Sequence, residues 1–264
     1  MIEVRDLTKV FPTTDGRGKR AVDGLTFTVP TGQIYGLLGP NGAGKTTTLR
    51  ILAGLISPTD GSARIAGHDV SADRLAARRQ IGYLTASTGL YQRLSPRELL
   101  VFFGEMNGMS RAALRSRIDY LVDWLDMRDF ADQRCGGLST GQKQRASIAR
   151  ALIADPPVLI LDEPTLGLDV ITNRIILDFI RSEGARDKTI VLSTHYLDEA
   201  ETLCERFGLL YEGRLIADDG LDALRSRAGR ERLSDIFLVL CGEDRPVLRE
   251  PSADTHGTTS NRGA

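Results

Sequence analysis

The chain has 264 residues, long for one domain and short for three, with 41% apolar and 26% charged side chains, enough for a full core. Its 35 acidic and 34 basic side chains leave a net charge of −1, so no global basic field draws it to nucleic acid or to an anionic membrane. Three scattered cysteines, Cys135, Cys204 and Cys241, form no C-x-x-C pair, which argues against a disulfide scaffold or a zinc site and fits a reducing compartment. The opening MIEVRDLTKVF is charged throughout and does not read as a signal peptide. No stretch approaches the roughly 18 uncharged apolar residues of a membrane span, so any membrane role is expected to come through a partner.

In chain order, Ile2, Val4 and Leu7 alternate with polar neighbours, as do Leu25, Phe27 and Val29, and both segments read as strands around the polar loop Pro12 to Arg20. Ile34 to Leu38, IYGLL, suits a covered central strand, and a helix follows Gly44 and ends near Gly54. Ile65 and Ile81 to Leu84 mark two further strands. Ser95-Pro96-Arg97-Glu98 opens a helix with a capping box and a first-turn proline, and Leu99, Leu100, Phe102, Phe103 and Met106 supply its apolar stripe. A second helix from Ser110 carries Leu114, Ile118, Leu121, Val122 and Leu125 at helical spacing. Beyond Gly136 come a helix over 141–154, the run Val158 to Asp162, a helix over 172–181, the run Thr189 to Thr194, a helix near Leu197 and a hairpin turning at Glu212-Gly213. Leu233 to Leu240 fits either strand or helix. From Arg249 the composition predicts a disordered tail.

Two sequence features carry chemistry. GPNGAGKT, Gly39-Pro40-Asn41-Gly42-Ala43-Gly44-Lys45-Thr46, follows an apolar strand and opens a helix, as a phosphate loop must. Its glycines let backbone N–H groups converge on phosphate oxygens, Lys45 sets a charge against the β and γ phosphates, and the Thr46 hydroxyl suits Mg²⁺; Thr47 continues the binding turn. VLILDEPT, Val158 to Thr165, then places Asp162 to hold Mg²⁺ and Glu163 to polarise an attacking water as general base. His195 closes a second apolar strand, TIVLSTH, within reach of the γ-phosphate or that water. His68 and His256 read as surface residues.

With these motifs on the page, residues 1–240 resemble the ATP-binding subunit of ABC transporters, in the export-type branch with separate permeases that includes the sodium-extrusion group. The resemblance implies an α/β fold: a P-loop NTPase of the ABC ATPase cassette type, with an antiparallel β subdomain and an inserted helical subdomain over about 95–133. It gives Phe11 the role of stacking on adenine, and Ser139, Thr140, Gly141 and Gln142 that of a signature loop touching ATP held by a second ATP-binding subunit. It makes Asp169 the coupler of two sites in a two-fold dimer, homomeric or heteromeric. ATP and Mg²⁺ are the implied cofactors, integral-membrane permease subunits the partners with no nucleic acid, and the cytoplasmic face of the cell membrane the location.

Two departures from the family pattern stand out. Thr140 replaces a glycine, which would be costly if that position were left-handed. Thr85-Ala86-Ser87 stands where a Mg²⁺-reaching glutamine is expected, leaving Ser87 or Thr88 to offer an oxygen through water. Two rival readings are a soluble ABC ATPase of translation or DNA repair and a cassette that has lost catalysis. The single cassette speaks against the first, and intact Lys45, Asp162, Glu163 and His195 against the second.

Overall fold

The computed structural model describes residues 1–14, 17–85 and 89–243. The disordered-tail expectation and the Ala86, Ser87 and Thr88 expectations fall outside them.

Three apolar runs organise the molecule: β3 (Ile34–Leu38), β7 (Val158–Asp162) and β8 (Thr189–Thr194) are buried at every position. Because side chains alternate across a strand, each run feeds two cores. Tyr35, Leu37, Val158, Ile160 and Val191 face one, while Ile34, Leu38, Leu159, Leu161, Ile190 and Leu192 face the other. These strands are the centre of a six-stranded sheet ordered β10-β9-β3-β8-β7-β6, completed by β6 (Ile81–Leu84), β9 (Arg206–Tyr211) and β10 (Arg214–Asp219). Neighbours pair in parallel except β10, which returns antiparallel through the Glu212-Gly213 hairpin.

The first core is closed by a four-stranded antiparallel sheet, ordered β2-β1-β4-β5 and built from β1 (Ile2–Phe11), β2 (Lys19–Val29), β4 (Asp60–Ile65) and β5 (His68–Asp69). Helix α1 (Lys45–Leu52) also packs there, through Leu49, Ile51 and Leu52, and α2 (Arg74–Arg79) contributes Ala77. The second core is covered by α3 (Pro96–Met106), α4 (Arg111–Trp124), α5 (Thr140–Leu152), α6 (Val170–Gly184), α7 (Leu197–Leu203), α8 (Leu221–Ala228) and α9 (Leu233–Cys241). Helix α3 has the expected capping box, with Ser95 Oγ accepting from the Glu98 amide at 3.2 Å and Glu98 Oε2 from the Ser95 amide at 2.8 Å. Its expected stripe is corrected in part: Leu99 and Leu100 are buried, but Phe102 is 44% and Met106 68% exposed.

An ionic cluster ties α4 to the sheet. Fully buried Glu183 on α6 accepts hydrogen bonds from Tyr120 (2.9 Å) and Arg186 (2.8 Å) and pairs with Lys188 at 2.8 Å. Arg117 of α4 donates to the Leu152 carbonyl at 2.9 Å and meets Asp155 at 2.9 Å. Among the described residues, no helix is long and apolar enough to cross a membrane.

Candidate active site

The loop between β3 and α1 runs where side chains would obstruct it. Gly39 and Gly44 hold φ of 155° and 106°, and a Cβ there would lie 2.1 Å from the Leu210 carbonyl oxygen or 2.4 Å from that of Ala21. Buried Ala43 ties the loop down, its amide donating to the Pro40 carbonyl at 3.2 Å and its carbonyl accepting from the Gly213 amide at 3.0 Å. Lys45 opens α1, and its Nζ donates to the Gly39 carbonyl at 2.6 Å. Burial pulls this ammonium below the usual lysine value, and the nearby Glu163 and Asp162 carboxylates oppose that shift.

The end of β7 brings both carboxylates to this loop. Asp162 is 1% exposed, and its Oδ1 accepts from Thr46 Oγ1 at 3.1 Å and from Ser193 Oγ at 2.6 Å. Glu163 turns away from the strand with φ of 50°, a strained value for a non-glycine residue, while its amide donates to the Ser193 carbonyl at 3.0 Å. That turn aims its carboxylate between two cationic or polar partners. Oε1 lies 3.7 Å from Lys45 Nζ, and Oε2 lies 2.9 Å from His195 Nδ1. The His195 ring stands just beyond β8 and packs against Tyr196, with centroids 4.1 Å apart.

A cleft of about 560 Å³ opens over these groups, lined by the phosphate loop, Glu163, His195, Phe11, Lys19, Ala21 and Leu166. Phe11 is 37% exposed at the rim, not a core residue, and Lys9 Nζ lies 5.2 Å from its ring centre. The sequence reading missed Lys19, Ala21, Leu166 and Ser193. The first two reach the cleft through β1–β2 pairing, and the β7–β8 register sets Ser193 beside Asp162. Only position offered a signal, since Ser193 sits at the end of an apolar run like the acidic one.

The signature residues lie outside this cleft. Ser139 caps α5, its Oγ accepting from the Gln142 amide at 3.2 Å while Gln142 Oε1 accepts from the Ser139 amide at 2.9 Å. Thr140 is the first residue of α5, and among the described residues it is not one of those with positive φ. The feared left-handed cost therefore does not arise. Asp169 caps α6, accepting from the Thr172 amide (2.9 Å), the Ile171 amide (3.0 Å) and the Thr172 hydroxyl (2.8 Å). These bonds, led by the Thr172 amide, hold its carboxyl below the usual aspartate value.

A P-loop nucleoside triphosphatase is the class this sheet, loop and acidic strand end define. Residues 22–166 match the family model for ABC transporters. The chain is 45% identical over 235 residues to the Nod factor export ATP-binding protein I of Paraburkholderia xenovorans (strain LB400), covering 89% of this chain and 76% of the relative. It is 37% identical to the ABC transporter ATP-binding protein NatA of Bacillus subtilis (strain 168), covering 83% and 89%. With the daunorubicin/doxorubicin resistance ATP-binding protein DrrA of Streptomyces peucetius it shares 40% identity, covering 89% and 71%. Among solved structures, an ATP-binding subunit of an ABC transporter superposes with a TM-score of 0.83 at 31% identity, covering 91% of this chain and 99% of that one. The dimeric post-hydrolysis state of the cassette MJ0796, bound to ADP and Pi, gives 0.76 at 27% identity, covering 84% and 99%. The chain belongs to the ABC transporter family, as an ATP-binding subunit that hydrolyses ATP.

Proposed function

We propose that this chain drives export of a solute through separate membrane permease subunits, working as one of two ATPase subunits held peripherally at the cytoplasmic face. The carrying observation is the Glu163 carboxylate, held between Lys45 and His195 at the wall of the cleft. An export ATP-binding protein, a drug-resistance one and an ABC transporter ATP-binding protein among the relatives support the transport reading over one in translation or DNA repair.

In the mechanism, ATP lies with its base against Phe11 and its phosphates in the Gly39–Thr46 loop. Backbone amides and Lys45 stabilise the charge that gathers on the equatorial γ-oxygens. Glu163 accepts a proton from the attacking water, and His195 holds the Glu163 carboxylate while facing the γ-phosphate. The donor set fits a divalent cation: buried Asp162 is met at Oδ1 by two neutral hydroxyls, so among the described residues its charge has no direct cationic partner there. Thr46 and Asp162 would hold Mg²⁺, which supplies charge neutralisation at the phosphates. Ser139 and Thr140 complete the site of the opposite subunit, consistent with their place outside this chain's own cleft and with the dimeric cassette relative.

Glu163→Gln tests the base and the assembly together. It keeps volume and hydrogen-bond reach but removes the proton acceptor, so phosphate release should fall by roughly 10²-fold or more while ATP still binds. Light scattering should then detect a dimer with Mg-ATP and a monomer with Mg-ADP. Turnover near wild type would show that Glu163 is not the base; a silent enzyme that stays monomeric with ATP would sink the closure scheme instead.

A further inference from the structure

The segment after Glu163 must hold that carboxylate at a strained backbone, yet it leaves the sheet: Pro164 and Thr165 stay buried and the chain emerges at Leu166 and Gly167 before α6. Two side chains from other elements hold it. Gln144 of α5 donates from Nε2 to the Pro164 carbonyl at 2.7 Å. Glu199 of α7 accepts at Oε2 from the hydroxyl of Thr165, which is buried, at 2.7 Å. The other oxygen of the same carboxylate, Oε1, accepts from Asn173 Nδ2 on α6 at 2.6 Å. Asn173 Oδ1 is buried and has no hydrogen-bond partner among the described residues, so the side-chain amide is committed to this single contact.

Glu199 therefore joins three pieces of chain. It rides on α7, whose N-cap is Tyr196, the residue that packs on His195. It grips Thr165, two residues beyond Glu163. It also grips Asn173, whose amide bonds back to the carbonyl of Asp169 at 2.9 Å. A carboxylate accepting two short hydrogen bonds from neutral donors in a half-buried site is a rigid connector, because both oxygens are fixed by directional bonds.

We propose that Glu199 is a positioning residue for ATP hydrolysis, bridging Thr165 and Asn173 so that His195, Glu163 and the segment bearing Asp169 move as one unit. This rests on the assignment of Glu163 and His195 given above. Glu199 touches no nucleotide in this scheme. Its loss should displace the base and the histidine relative to each other, and misplacements of that kind cost turnover, not binding.

The test is a swap across the bridge, made in the full chain with Mg-ATP. Asn173→Asp sets a second carboxylate against Glu199, and the two repel. Phosphate release should fall by roughly 10-fold or more in kcat, with KM and the affinity for a fluorescent ATP analogue within about 2-fold of wild type. Adding Glu199→Gln supplies an amide that donates to the new carboxylate while its oxygen still accepts from Thr165, and kcat should recover to within about 3-fold. A purely structural contact would lower melting temperature and nucleotide affinity along with rate. The proposal is overturned if Asn173→Asp turns over like wild type, if affinity falls as much as kcat, or if the double variant does not recover. Should Asn173→Asp fail to fold, Thr165→Val removes only the hydroxyl, and an unchanged kcat there overturns the bridge equally. Glu163→Gln run alongside separates the two failures: turnover near wild type in that variant sinks the base assignment, whereas a missing recovery in the swap sinks the bridge.

Discussion

Lys45 spends its charge on carbonyls of its own loop and on Glu163, so it is poised where phosphate oxygens come to lie. Lys45→Ala removes that charge from an otherwise intact nest, and ATP binding or turnover should be nearly abolished; near-normal affinity and rate in the purified variant would contradict the assignment. In the proposed site Phe11 would act through a ring face alone. Base–aromatic stacking contributes roughly 1–3 kcal/mol, so Phe11→Ala should weaken ATP by about 5- to 150-fold. Because no directional bond is involved, GTP should weaken in parallel, and titration of both nucleotides checks this. Lys45 was legible from a local motif, whereas the role of Phe11 came only through the family resemblance. Ser193 and Lys19 were not legible, because only strand pairing brings Lys19 to the cleft and Ser193 beside Asp162.

At the scale of elements, legibility followed how much of the hydrophobic pattern is resolved locally. The apolar runs within β3, β7 and β8 leave no alternative to a covered strand, and the Ser95 and Ser110 caps mark helix starts. Leu233 to Leu240 stayed ambiguous since its apolar run from Ile236 to Leu240 fits strand or helix; packing against α7 and α8 decides for helix, with Leu233 and Ile236 inward. On α3 the stripe at Phe102 and Met106 turns outward instead, where Phe102 meets Tyr91 and Phe103 edge-on. Helix α5 carries its own prediction. Thr140 sits at the first helical position with ordinary backbone, so Thr140→Gly relieves no strain and adds chain freedom. It should leave hydrolysis within about 3-fold of wild type and lower, not raise, the melting temperature. A marked gain in ATP-driven dimerisation would instead mean that the threonine side chain obstructs closure.

Over the whole molecule, the Glu183 cluster joins α4 to the sheet by buried charge. Burial pushes the Glu183 carboxyl up, but Lys188, Tyr120 and Arg117 more than offset it and leave it below the usual glutamate value. A lowered pKa means its contribution is complete above about pH 4.3 and is lost as pH falls through the folded value. Glu183→Ala leaves Lys188 and Arg117 with Asp155 as their remaining carboxylate partner and should cost roughly 1–3 kcal/mol near neutrality. The stability gap between wild type and Glu183→Gln should narrow on acidification below about pH 4, as read from denaturant midpoints. A gap that widened in acid would reverse the assigned direction.

The floor beneath the phosphate loop has a consequence for how the chain comes into being. Gly39 rests on the carbonyl of Leu210, Ala43 is bonded by Gly213, and the Gly213 carbonyl in turn accepts from Asp23. A ribosome therefore delivers the motif early and its support late. Chains emerge N-terminus first, so while residues beyond the acidic strand are still being made the loop has its full motif sequence and no base to rest on. Nascent chains arrested before Leu210 should fail to retain ATP, and those arrested after β10 has cleared the exit tunnel should retain it. Nucleotide binding would then serve as a checkpoint on completed synthesis, set by a hairpin that contributes no catalytic group.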